Sequence, residues 1–296
     1  MNVSFVWRKI MATHMLKRSV GSSLGAFMLG AVVFGALSGC DGDGGGGSFL
    51  ISEQQEIDIG AEVHAGILQE YPLYANAAVV SYVTALGQQI VVKSRRPNLA
   101  HQFFVLETDV INAFAAPGGY VYVTTGLMRN MGSRAELAGV LGHEVGHVSA
   151  YHGVEALELE FGLGLLIDMV LGSDSAAGQV VGYATGFYWN TAHSRDQELE
   201  SDTLGVEFAH AAGYNPWGLV DFFEFLGAVS GGSGDPISKF MSSHPSSTDR
   251  ITESSAQIEA LGVTKTQAGL VVDDSNDVFM SYVELMKLLP AEQPRS

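Results

Sequence analysis

The chain has 296 residues, with 32 acidic side chains against 15 basic ones for a formal net charge of −17, 47% hydrophobic residues and a single cysteine. So acidic a chain repels the phosphate backbone, which excludes nucleic acid as a partner, and a lone cysteine excludes a disulfide within one molecule. The hydrophobic fraction is ample for a real core, and neither an internal repeat nor a second globular domain is visible.

Arg8, Lys9, Lys17 and Arg18 precede an apolar run rich in Gly and Ala from Val20 to Leu37, which ends in Leu37-Ser38-Gly39-Cys40. Basic, apolar and small segments in that order form an export leader. The Leu-Ser-Gly-Cys ending resembles a bacterial lipobox, which implies cleavage after residue 39, a lipid on Cys40, and a lipoprotein signal peptide over residues 1–39. An uncleaved anchor of about 18 to 20 apolar residues is the alternative, and either one exports the remainder of the chain because the basic flank stays inside. Residues 40–51 then form a tether: the eight residues from Asp41 to Ser48 are mostly Gly and reach roughly 16 Å as a flexible chain.

Downstream, Glu53 to Glu70 and Ala75 to Lys93 predict helices, interrupted at Tyr71-Pro72. Gln102 to Glu107 and Ile111 to Thr125 predict short strands, the second stretch folding back at Pro117-Gly118-Gly119. Leu137, Val140 and Leu141 fall at helical spacing behind Ser133 and Glu136, which form the sequence pattern of a capping box. An apolar helix about Phe161 to Leu171, too short and too interrupted by Asp168 to span a membrane, precedes a further helix about Ala176 to Ala192. A charged helix through Glu198 to His210 and an apolar one from Pro216 to Ala228 complete an α+β fold dominated by helices, with a small β-sheet before the helix that begins near Ser133.

That helix carries His143-Glu144-Val145-Gly146-His147. At 3.6 residues per turn His147 lies almost directly above His143, so both imidazoles reach one zinc ion while Glu144 sits beside them as a general base for a metal-activated water. A catalytic zinc keeps three protein ligands, and the best third candidate is Glu198; Asp202 shares its helix face and is placed to accept the N–H of a ligand histidine, whereas Glu200 projects elsewhere. His152 falls about 140° round the helix from His147 and reads as structural, and His193 and His210 as surface or packing residues.

Four segments together carry a family resemblance: His143 to Gly153, Ser194 to Asp202, Asn112 to Gly126, and His244-Pro245 with Arg250. In that order they resemble the HtpX-type zinc metallopeptidases, number forty-eight among the M families, over about Ser52 to Leu261. The resemblance implies a zincin-like metalloprotease domain over residues 52–262 followed by a C-terminal extension over 263–296. It also implies one zinc per chain held by His143, His147 and Glu198, with Glu144 as base and Asp202 in support. The strand containing Asn112, Ala113, Phe114 and Ala115 would be the edge to which an extended peptide adds as a further strand. His244 would either donate a hydrogen bond to the developing oxyanion or fill the open zinc position as a latch, with Arg250 anchoring its loop by pairing with Asp196 or Asp202. Multi-span members of the family differ from this chain in topology, which is closer to the periplasmic lipoprotein branch. The implied activity is hydrolysis of unfolded or misassembled envelope proteins at the inner or outer membrane of a bacterium. The alternative is a chaperone-like lipoprotein that assists the outer-membrane assembly machinery with little turnover.

Overall fold

The computed structural model describes residues 51–159, 193–229, 237–245, 248–267, 270–271 and 280–291. The leader, residues 40–50 of the tether, and the helices predicted about Phe161 to Leu171 and Ala176 to Ala192 lie outside these residues, whereas Ile51 is buried in the smaller of two hydrophobic cores. Helix α1 (Glu53–Glu70) opens on a capping box between Ser52 and Gln55 and stops at Tyr71, which is extended because Pro72 disfavours helical backbone on the residue before it. Helix α2 (Ala77–Val91) begins two residues later than the sequence suggests, since the Asn76 side chain accepts from the amides of Ala78 and Val79 and so sets the start.

Strands β1 (Gln102–Leu106), β2 (Ala113–Ala116) and β3 (Tyr120–Thr124) form a sheet of order β1-β3-β2. β1 runs parallel to β3, and β2 returns antiparallel with Ala113 opposite Val123. A 3-10 turn (Pro117–Gly119) joins β2 to β3, and its Gly118 and Gly119 sit at φ 74° and 83°, where a side chain would strain the backbone. Alternation along β3 divides the interior: Val121 and Val123 face the main core with Val105 and Leu141, while Tyr120 and Tyr122 join Phe114 and Ile59, Val63 and Ile67 of α1 in a smaller one.

Beyond the short helix α3 (Thr125–Arg129), helix α4 (Arg134–Ser149) runs through the middle of the main core, with every residue but Glu136 buried. Half of its predicted capping box forms. Ser133 Oγ accepts from the Glu136 amide at 3.2 Å, but the Glu136 carboxylate reaches one residue further back, to the Gly132 amide at 2.9 Å. Helices α5 (Arg195–Ala211) and α6 (Trp217–Val229) pack against α4. A β-carbon on Gly142 would lie 2.9 Å from the Gly205 carbonyl oxygen, and one on Gly205 2.9 Å from the His143 nitrogen. The two backbones therefore touch, and this contact brings the acids of α5 to the histidines of α4.

Helices α7 (Ser238–Ser243), α8 (Thr248–Ala260) and α9 (Tyr282–Met286) come next in the chain. The C-terminal residues pack into the same body: Tyr282 Oη donates to the Met128 carbonyl at 2.9 Å and the Arg134 guanidinium to that of Met280 at 3.1 Å. The result is the α+β architecture read from the sequence, mostly helical with a three-stranded sheet ahead of the central helix. Among the described residues no helix is long and apolar enough to cross a membrane.

Candidate active site

One turn apart on α4, His143 and His147 direct their Nε2 atoms to the same point, 3.0 Å from each other. Glu198, in the first turn of α5 behind a Ser194–Gln197 capping box, brings Oε1 to 3.4 Å from His147 Nε2 and Oε2 to 3.6 Å from His143 Nε2. His244, just past α7, places Nδ1 3.3 Å from His143 Nε2 and 3.0 Å from Glu198 Oε1. All four residues are buried.

Three imidazole nitrogens and a carboxylate oxygen crowded this closely fit a metal ion well. Tetrahedral bonds of about 2.0 to 2.1 Å give ligand–ligand edges of roughly 3.3 Å, in the range of the separations seen here. Two neutral imidazoles facing each other through Nε2 can share at most one proton between them, so a cation accounts for the set better than hydrogen bonding does.

Glu144 is fully buried beside this cluster, and neither of its oxygens has a hydrogen-bond partner among the described residues; His244 Nε2 is 3.6 Å from Oε1. Burial raises its carboxyl above the ordinary range, against the opposing pull of His244 and His143. Burial alone would raise Glu198 too, yet the field of His244 and hydrogen bonds from His147 and His244 hold it well below the usual carboxylate range. Two buried carboxylates on different helices are thus pushed in opposite directions, one towards a proton acceptor and one towards a permanent anion.

Around the cluster, Asp202 Oδ1 lies 2.8 Å from His143 Nδ1. Arg250 grips Asp202 through Nε at 2.7 Å and Nη2 at 2.6 Å, reaches Glu198 Oε2 through Nη1 at 2.5 Å, and stacks on the Phe223 ring at 4.3 Å. Of the two acids the sequence offered as partners for Arg250, the structure selects Asp202. β2 is one of the two edge strands of the sheet and passes alongside α4. The carbonyl of Ala113 accepts from His244 Nε2 at 3.3 Å, Phe114 turns into the smaller core, Ala115 is half-buried, and Asn112 Oδ1 lies 3.5 Å from Ser243 Oγ.

Sequence reasoning missed the surroundings of His147. His152 does not lie 140° away on a continuous helix: α4 ends at Ser149, Tyr151 adopts φ 60°, and the chain re-enters helix at residue 152. The ring of His193 lies 3.9 Å from that of His147, so this residue belongs to the site. No local pattern announces either contact, because both depend on how the chain turns after α4 and before α5.

A buried metal site on an α+β scaffold, with a carboxylate beside two histidines of one helix and a sheet edge next to it, defines the metallopeptidase class. The family model for Peptidase family M48 matches residues 78–258, and the chain belongs to that family. It is 31% identical over 180 residues to mitochondrial metalloendopeptidase OMA1 of Arabidopsis thaliana, covering 60% of this chain and 36% of that protein. It is 33% identical over 150 residues to metalloprotease YcaL of Escherichia coli, covering 49% and 58%, and 24% identical over 244 residues to the beta-barrel assembly-enhancing protease of the same organism, covering 78% and 48%. The chain thus spans between about a third and three fifths of the length of these relatives.

The helix-face geometry carries a direct expectation. Glu198→Ala releases the metal, whereas Glu200→Ala, whose side chain is half-exposed and outside the four-residue cluster, does not. Asp202→Ala weakens metal affinity by about 10 to 100-fold through the freed His143. Metal content after dialysis checks all three, and equal loss from the Glu198 and Glu200 variants would contradict the assignment.

Proposed function

We propose that this chain is a zinc-dependent endopeptidase that cleaves unfolded or misassembled proteins of the bacterial envelope. One observation carries the reading: a buried cluster of His143, His147, Glu198 and His244 adjoins a carboxylate, Glu144, that has no hydrogen-bond partner among the described residues, beside an edge strand of the sheet. Zinc, when bound, supplies Lewis acidity that activates a water and polarises a peptide carbonyl. Glu144 accepts the proton of that water and passes it to the leaving amine. The outward edge of β2 orders an extended substrate through main-chain hydrogen bonds, which favours unfolded chains over folded ones. The Asp202 carboxylate, itself held by Arg250, lies 2.8 Å from His143 Nδ1, and its negative charge there favours the proton on that atom and leaves Nε2 to the metal.

His244 fills the fourth position of the resting enzyme in this reading and withdraws to admit substrate. His244→Ala then keeps the metal and raises the rate of casein hydrolysis. A fall in kcat of about 10²-fold with unchanged zinc and KM would instead make it a donor to the oxyanion. A resting site with all four positions filled also favours a second reading, a chaperone-like lipoprotein with little turnover that assists outer-membrane protein assembly.

In this reading the chain is an HtpX-type member of the M48 family, of its periplasmic lipoprotein branch. The supporting feature is the leader ending in Leu37-Ser38-Gly39-Cys40; in this reading Cys40 carries the lipid, residues 40–51 form the tether and residues 52–262 the catalytic domain. A relative named a metalloendopeptidase supports a protein substrate, and one named a beta-barrel assembly-enhancing protease supports a substrate in the envelope. Purified protein digests an unfolded substrate such as casein, loses the activity on chelation and regains it with zinc. Chelator-resistant digestion, or none from zinc-loaded protein and its His244→Ala variant alike, would overturn the proposal.

A further inference from the structure

Outside the four ligands, the most unusual contact around the site is between two imidazoles. His147 Nδ1 lies 2.9 Å from His152 Nδ1, and His152 is almost wholly shielded from solvent, its residual exposure being 3%. A zinc-binding histidine ordinarily gives its second N–H to a carboxylate, a backbone carbonyl or water. His143 faces a carboxylate, its Nδ1 lying 2.8 Å from Asp202 Oδ1. We infer that His152 is the positioning residue for His147, a neutral imidazole acceptor in the place where the other ligand has an anion.

The fold builds this contact deliberately. Tyr151 holds the left-handed φ of 60° that ends α4 and redirects the chain, and the Arg96 guanidinium lies 4.1 Å over its ring while donating to the Val148 carbonyl at 3.2 Å. Arg96 is fixed in turn by the buried Glu56 carboxylate at 2.7 and 3.0 Å. A bulky residue in the left-handed region costs about 1 to 3 kcal/mol and persists only where its surroundings enforce it. Here the enforced break swings His152 back beneath His147.

The tautomers are set by counting protons, and this step rests on the zinc reading above. Metal on His147 Nε2 leaves its single N–H on Nδ1, which then donates to His152 Nδ1. His152 must present a bare Nδ1 there, so its own proton sits on Nε2, and that atom faces Glu200 Oε2 at 3.4 Å. Ser201 Oγ, 3.3 Å from His152 Nδ1, flanks the same acceptor. The outer carboxylate Glu200 therefore acts on the metal only through His152.

The zinc-loaded full-length protein, with its histidines labelled in nitrogen-15, shows the arrangement by imidazole NMR. The expected result is a proton on Nε2 of His152 and none on its Nδ1; a proton on Nδ1 would overturn the inference, because that atom could not accept. Chelator competition for zinc supplies the second arm. His152→Leu lowers zinc affinity by about 10 to 100-fold, and His152→Asn, whose amide oxygen stands near the lost Nδ1, restores it to within about threefold. Thermal melting of the metal-free proteins is the same for both variants. Parental affinity in His152→Leu, or equally weak affinity in the Leu and Asn variants, would contradict positioning by an acceptor. A parent protein that takes up no zinc at all would instead defeat the zinc reading, and with it this inference.

Discussion

Glu144→Gln retains one zinc per chain and loses peptide hydrolysis by about 10² to 10⁴-fold, the range a general base commands. The amide has the size of the carboxylate but cannot take the proton of the attacking water. Neither Glu144 oxygen holds a hydrogen bond among the described residues, so the substitution breaks none there, and it removes a buried carboxyl whose ionisation burial already opposes. The melting temperature of the variant is therefore no lower than that of the parent. Elemental analysis, a casein assay and calorimetry check the three parts, and near-normal turnover would remove Glu144 from the role of base.

Arg250→Ala has the largest effect on stability. It leaves Asp202 and Glu198, both almost wholly buried, without the cation that pairs with them. Breaking one side of a buried ion pair costs about 3 to 5 kcal/mol, and for a domain of this size each kcal/mol lowers the melting temperature by about 2 to 4 °C. Arg250→Lys rescues little, since one ammonium cannot reproduce a guanidinium that grips Asp202 through two nitrogens and Glu198 through the third. The exposed pair Arg195–Asp249, with side chains 57% and 53% accessible, is the control: Arg195→Ala shifts stability by no more than about 1 kcal/mol. Thermal unfolding of the three variants separates a buried keystone from surface charge.

Local and periodic features are the ones legible in the sequence. The spacing of His143 and His147, the shared face of Glu198 and Asp202, and the hairpin turn at Pro117 to Gly119 each arise from one element's own geometry, and the structure places these residues accordingly. Features set by tertiary contact stay hidden. The Gly142–Gly205 approach that joins α4 to α5 is invisible until both helices are docked, and the strained turn at Tyr151 is imposed by Arg96 and Glu56 from distant elements. The start of α2 is legible in Asn76, a good helix cap, but hydrophobic periodicity alone puts it two residues early.

The central claim is that His143, His147 and Glu198 form a zinc centre with His244 at the fourth position in the resting protein. X-ray absorption at the zinc edge, together with elemental analysis of the protein as purified, tests it most directly. The expected result is one zinc per chain, four nitrogen and oxygen neighbours at about 2.0 to 2.1 Å with three of them imidazole, and one imidazole fewer in His244→Ala. Protein that folds and digests casein without bound metal, or a metal shell unchanged by His143→Ala, would contradict it.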